Sequence, residues 1–438
     1  MDVFVARQPI FDRDLKTFGH ELLYRSSSVN TYSGADSTMA SLEVINNSLF
    51  AADIGQISGG RRVFINFDRK LVLSDAASVL DPKKVVIEIL EDTEIDGELL
   101  DACRKLQERG YLLADICAAD QMKPLLDLVD FIKVDVRLST AENQQRILDA
   151  YGNRHTCLAE KLESQEEFEA ARKLGYQLFQ GYFFARPVIV KGHQISGFKM
   201  NYLRILNAVS QPDMDLFEIE KLIRQDASVT YKLLRYVNSA LFAQCANVDS
   251  IQRALMILGQ QELRKWTSIV LLMHLASDQP DALLMCALVR AGFCEKLAEL
   301  AGETRRKSDL FLMGMFSLLD AMMGCPLPEA LRQIRLPEDI QAALLGEDQP
   351  SSVTDIYRLV KTYEQGHWEE VLHNASRLKV GDDQIRDTYL GCIGWCEEIF
   401  KLLPQLNGPR APSLGRSPAA RPNPPAAPVR NGTVCSHH

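Results

Sequence analysis

Residues 156–181 read TCLAEKLESQEEFEAARKLGYQLFQG, and this stretch decides the fold class of the first half of the chain. The apolar runs 156–160 and 177–181 suit buried strands. Between them, 164–174 is helix-like. Ser164 and Glu167 form a capping box at its start, and Gly175 suits the left-handed conformation that ends helices. Strand, helix, glycine, strand is one βα unit of a parallel sheet.

The same unit recurs upstream. Strand candidates lie at 63–67, 85–90, 111–115 and 131–136, and the helix-like stretches 98–109 and 141–151 stop at Gly110 and Gly152. An open doubly wound sheet and a closed barrel both fit this repeat, and spacing does not choose between them. From about residue 196 the strand signals fade. Leu216, Ile219, Leu222 and Ile223 recur at helical spacing, as do Leu233, Leu234 and Val237, so the second half reads as almost wholly helical. From Pro404 onward proline, alanine, arginine, serine and glycine dominate. Such a tail buries too little apolar surface to offset chain entropy, and 404–438 is expected to be disordered. The resulting division is 1–195, 196–403 and 404–438.

The whole chain of 438 residues is long enough for two domains. Acidic residues outnumber basic ones by 58 to 49, and the formal charge of -9 argues against a general nucleic-acid or acidic-membrane binder. No basic segment followed by a long apolar run opens the chain, and no apolar stretch approaches membrane-spanning length. The ten cysteines form no CxxC pair. Free thiols in a reducing cytoplasm are expected.

Polar residues in apolar strands demand an explanation, because burying them unpaired is costly. Asn66, Glu88, Lys133 and Glu160 each sit in or at the end of such a strand. In parallel βα folds, strand-end side chains converge on the ligand-binding face. Two carboxylates, an amide and an ammonium there suit a divalent cation and an anionic substrate. Solvent-facing or structurally ion-paired positions are the bland alternative. It weakens when four separate strands each carry one.

Gly19-His20-Glu21-Leu22-Leu23-Tyr24-Arg25 resembles the G-x-E-A-L-L-R motif of the EAL family, and Gln8-Pro9-Ile10 resembles that family's Y-Q-P-I opening. Asn66 falls in its F-V-N motif, and Glu88-Ile89-Leu90-Glu91 is similar to E-L-T-E. Ile132-Lys133-Val134-Asp135 is similar to I-K-I-D, Ala159-Glu160-Lys161-Leu162-Glu163 to A-E-G-V-E, and 180–187 to Q-G-Y-x-F-x-x-P. Ordered across about 190 residues, the set is specific where no single motif is. The resemblance implies a modified (β/α)8 barrel that hydrolyses cyclic di-GMP to a linear dinucleotide with two divalent ions, Mg or Mn. Glu21, Asn66 and Glu88 would then be metal ligands. Lys133 would hold the attacking water, and Glu160 and Gln180 would complete the shell. Gln8 and Arg25 would contact the ligand.

One motif fails. Where the family has the adjacent aspartates of D-D-F-G-T-G, direct alignment puts Ile116 and Cys117. Asp115 fits only by a one-residue slip, which turns it to the other side of the strand, and Asp120 lies further on. Hard cations depend on oxygen ligand number and charge, so this loss argues against hydrolysis and against a resident metal.

In the second half, 226–240 resembles the HDOD signature D-P-x-L-x-x-K-L-L-R-x-V-N-S-A, and 250–259 its S-I-x-x-A-I-x-x-L-G continuation. The resemblance implies a helical bundle related to HD-type phosphohydrolases without their metal ligands, and no His-Asp dipeptide occurs in this chain. His274, in an apolar run, reads as a core histidine rather than a ligand, and Arg235 and Asn238 as packing and capping residues. Three functions stay open. One is a regulatory protein whose barrel senses or docks while the HDOD bundle contacts protein partners. The others are an active phosphodiesterase and a scaffold that binds no nucleotide. By analogy the barrels of this family pair, which makes a homodimer an expectation.

Overall fold

The computed structural model describes residues 3–26, 54–90, 93–116, 123–186, 197–211, 214–239, 248–277, 279–347 and 349–407. Eight strands close into a barrel in chain order. They are β1 (Val3–Phe11), β2 (Thr17–Ser26), β3 (Arg62–Phe67), β4 (Val85–Ile89), β5 (Leu112–Ile116), β6 (Phe131–Asp135), β7 (Thr156–Leu162) and β8 (Leu178–Gly181). β1 runs antiparallel to both its neighbours, and the remaining pairs are parallel. This closes the choice between an open sheet and a barrel. β1 and β2 precede the first expected strand. Their residues mix charged and apolar side chains, because one face of the hairpin packs on the second half of the chain.

The barrel interior is filled by Ile10, Phe64, Val86, Ala114, Phe131, Leu158 and Leu178. One layer above them toward the strands' C-terminal ends lie Asn66, Glu88, Lys133 and Glu160, two residues further along each strand. The alternating residues of these strands, such as Ile65, Ile87, Ile89 and Ile132, point outward into the main apolar core under the helices.

Helix Gln165–Leu174 begins at Ser164, whose hydroxyl accepts from the Glu167 amide at 3.2 Å. The Glu167 carboxylate reaches back to the Glu163 amide at 2.6 Å, one residue before the cap itself. Gly175 ends that helix at φ 118°, and Gly110 has φ 90°. Gly152 differs from expectation. It stays right-handed at φ −62°, and a Cβ there would meet the Leu148 carbonyl oxygen at 2.6 Å. Close approach, not a left-handed turn, requires glycine at that position.

From Gly197 the described chain is helical, in segments that include Ala227–Val237, Ile251–Leu275, Asp281–Leu300, Ser352–Gln365 and Asp382–Asn407. The last continues past Pro404 to Asn407; residues 408–438 of the expected tail lie outside the described part. No described helix is long and apolar enough to cross a membrane. The two halves pack together through the β1–β2 hairpin. Phe4 stacks on Trp368 with centroids 5.4 Å apart, Tyr363 donates its hydroxyl to the Val5 carbonyl at 3.1 Å, and Arg7 pairs with Glu397.

Candidate functional site

Lys133 is the hub of the barrel's polar layer. Its side chain is wholly buried, and its Nζ lies 3.0 Å from Glu21, 2.5 Å from Glu88 and 2.7 Å from Glu160. Three strands other than its own, β2, β4 and β7, therefore aim carboxylates at one ammonium. Two amides complete the layer. Gln180 Nε2 donates to Glu21 Oε2 at 2.7 Å and to Gln8 Oε1 at 2.8 Å, and Asn66 Nδ2 donates to Glu21 Oε1 at 3.2 Å. Glu21, Asn66, Glu88, Lys133, Glu160, Gln180 and Gln8 are thus one connected cluster. The backbone of Arg25 pairs with Phe4; its side chain lies outside the described part, as do Glu91, Cys117 and Asp120.

The charges in this cluster adjust to one another. Burial disfavours the charged form of every member. For Lys133 the three carboxylates outweigh burial and hold the ammonium well above its usual range. For Glu21 burial pushes upward, but the Lys133 charge and the hydrogen bonds from Gln180, Lys133 and Asn66 bring the carboxyl below its usual value. Glu88 goes the other way. Burial and the nearby Glu21 charge push it up to about 8, and burial likewise raises Glu160. One cation cannot neutralise three anions, and burial with the remaining negative charge raises Glu88 and Glu160.

β5 is the exception to the convergence. Ile116 is the ladder partner of Lys133, at the level of the cluster, whereas Asp115 pairs with Ile89 and Ile132, which face outward. Asp115 is fully buried, and its charge acts on the Cys103 thiol of helix Gly97–Glu108, outside the barrel wall. Among the described residues no β5 carboxylate enters the cluster.

The cluster's fitness for metal follows from its donors. Glu21, Glu88 and Glu160 each offer an oxygen within 4.8 Å of the others. Asn66 Oδ1, Glu88 Oε2 and Gln180 Oε1 are buried without a hydrogen-bond partner among the described residues. All are hard oxygen donors, a set that suits a single divalent cation. Among the described residues three carboxylates converge here, and Lys133 engages all three; a second ion about 3.5–4 Å from the first would draw on further oxygen donors.

Two residues that the motifs include take structural roles that the sequence did not reveal. Lys161, at the glycine position of the A-E-G-V-E-like motif, keeps the left-handed conformation that glycine favours, with φ 58°, beside an irregularity in the β7–β8 register. Tyr182, two residues beyond the cluster's Gln180, donates its hydroxyl to the Glu364 carbonyl of the second half at 2.8 Å. Its place in the Q-G-Y motif was the available signal.

In the helical half, His274 Nε2 lies 2.6 Å from Lys232 Nζ, and the imidazole stacks on Tyr202 at 4.6 Å. Asn238 caps helix Ala227–Val237. Its Nδ2 donates to the Leu234 and Val248 carbonyls, and its Oδ1 accepts from the Val248 amide. Arg235 lies over the Tyr231 ring at 5.8 Å.

Residues 197–342 match the HDOD domain family model. The chain is 33% identical over 411 residues to the uncharacterised protein YuxH of Bacillus subtilis, covering 91% of this chain and 99% of that one. It is 30% identical over 406 residues to the cyclic di-GMP phosphodiesterase CdgJ of Vibrio cholerae, covering 91% and 94%. Among solved structures, an EAL domain protein from Listeria monocytogenes is 21% identical, covers 42% of this chain and 87% of its own, and has a TM-score of 0.35.

Proposed function

The chain belongs to the family of signalling proteins that join an EAL-type barrel to an HDOD domain, and on that premise we propose that its barrel is a sensor or docking platform that does not hydrolyse cyclic di-GMP. One observation carries this reading: β5 offers Ile116 at the level of the carboxylate cluster and turns Asp115 away from it. The EAL-family resemblance implies an aspartate pair at that position to hold the two ions of the hydrolytic site. Without them the cluster is an ion-paired and hydrogen-bonded network organised around Lys133.

In this reading Lys133 fixes the geometry of Glu21, Glu88 and Glu160, and Gln180 and Gln8 present amide groups beside them. A cyclic dinucleotide is recognised by such polar groups together with the strand-end residues, without chemistry. The HDOD bundle, coupled to the barrel through Tyr182 and the β1–β2 hairpin, makes contacts with protein partners. The protein acts in the cytoplasm, and a homodimer is the expected assembly.

A second reading is favoured by the three converging carboxylates and by the likeness to a Vibrio cholerae relative named as a cyclic di-GMP phosphodiesterase. In it the barrel hydrolyses cyclic di-GMP with Mg or Mn held at Glu21, Asn66 and Glu88. Calorimetry with cyclic di-GMP in the absence of metal tests the sensing role. Saturable heat supports it, and no heat at high nucleotide leaves a scaffold that binds none. Adding manganese and assaying for the linear dinucleotide separates both from the enzyme.

A further inference from the structure

Between the two halves lies a cavity of about 340 Å³, bounded by β1 and β2 on one side and by helices Asp281–Leu300, Ser352–Gln365 and Asp382–Asn407 on the other. Of the Lys133 cluster, Gln8 alone also lines it. The volume lies at the lower end of the range of small-molecule sites, roughly 300–1,000 Å³.

The lining has three properties that together define a ligand. First, His20 faces this cavity, is 5% exposed, and has an Nδ1 without a hydrogen-bond partner among the described residues. Buried polar atoms are nearly always satisfied by protein, water or ligand. Second, the walls carry four aromatic rings, Tyr182, Phe184, Tyr389 and Phe400. Third, Arg7, Arg61 and Lys401 are matched by Asp281, Glu364 and Glu397. Arg7 is bound to Glu397, and Glu364 to Arg290 outside the lining. The formal charges of the lining cancel, the enclosed ones are engaged, and Arg61, Asp281 and Lys401 are exposed to solvent, so the interior presents neither a free anion nor a free cation.

We propose that this interdomain cavity binds a small uncharged heteroaromatic compound, of indole or purine size, which donates a ring N–H to His20 Nδ1 and packs between the aromatic walls. Both halves supply the walls, so such a ligand favours their docked arrangement by mass action.

The test uses the full chain with isotope-labelled methionine methyl groups, because Met285 lines the cavity. Indole is the probe, and N-methylindole, which lacks the N–H, is its control. We expect indole to move the Met285 signal saturably, and N-methylindole to bind about tenfold more weakly, the loss of one hydrogen bond of roughly 1.4 kcal/mol. Val289→Trp, which fills the cavity, abolishes the shift. Should that variant fail to fold, the wild-type comparison of the two probes decides. No movement of the Met285 signal at millimolar indole, equal binding of the two probes, or a shift that survives in Val289→Trp overturns the proposal.

Discussion

The Lys133 ammonium stands 2.5 Å from the Glu88 carboxylate, with both side chains shut away from solvent. A buried pair of this kind contributes little when intact, because desolvation offsets attraction, but is costly to break. Lys133→Met leaves three acids buried without their cation. The expected loss is about 3–5 kcal/mol, read from the urea midpoint at unchanged slope. A loss under about 1 kcal/mol would mean that the cluster is not held together by this charge.

Lys161 adopts φ 58° where the motif it belongs to has glycine. A side chain in that conformation costs roughly 1–2 kcal/mol, partly balanced by the greater freedom glycine loses on folding. Its ammonium pairs with Asp135 at 2.7 Å but is largely exposed, so the pair adds little. Lys161→Gly is therefore expected to raise stability by about 0.5–1 kcal/mol. Thermal unfolding of the two proteins side by side checks the sign.

Which parts were legible in the sequence follows from these residues. The βα rhythm from 63 onward, the capping box at Ser164 and the alternation that turns Asp115 away from Glu88 all follow from local pattern, because strand and helix periods are fixed by backbone geometry. β1 and β2 were not expected as strands, since their outward face is completed by residues more than 350 positions away, such as Tyr363, Trp368 and Glu397. The motifs named every member of the Lys133 cluster, but not that one ammonium binds all three acids. His20 showed no signal at all. It stands in the motif's variable position, and only the packing of the two halves makes a cavity beside it.

Lys232 gives a pH test in the helical half. Burial pushes its ammonium down to about 8 from the usual 10.5. Between those values the unfolded chain holds the proton more tightly than the folded one. This group's contribution to stability therefore rises with pH across that window, and its cost is fully present below about 8. Lys232→Met removes the cost. The variant's advantage over wild type, measured by denaturant at several pH values, is expected to be largest near neutrality and to shrink as pH rises from about 8 to about 10.5. A constant difference would show that the lysine is not desolvated.

Ile116→Asp combined with Cys117→Asp introduces acidic residues at the end of β5, the one strand from which no described polar side chain enters the cluster. Hard cations bind in proportion to oxygen ligands and their charge. The double variant is expected to bind Mn at least about tenfold more tightly than wild type, a gain of about 1.4 kcal/mol, by calorimetry. Equal affinities would mean that β5 does not limit metal binding.

The central claim is that the cluster around Lys133 is not a hydrolytic centre, and one assay tests it most directly. The purified full chain is incubated with cyclic di-GMP and Mn, and the products are separated by chromatography. Recovery of the cyclic dinucleotide unchanged is the predicted result. Formation of the linear dinucleotide by the wild type, abolished in Glu21→Ala, would contradict it.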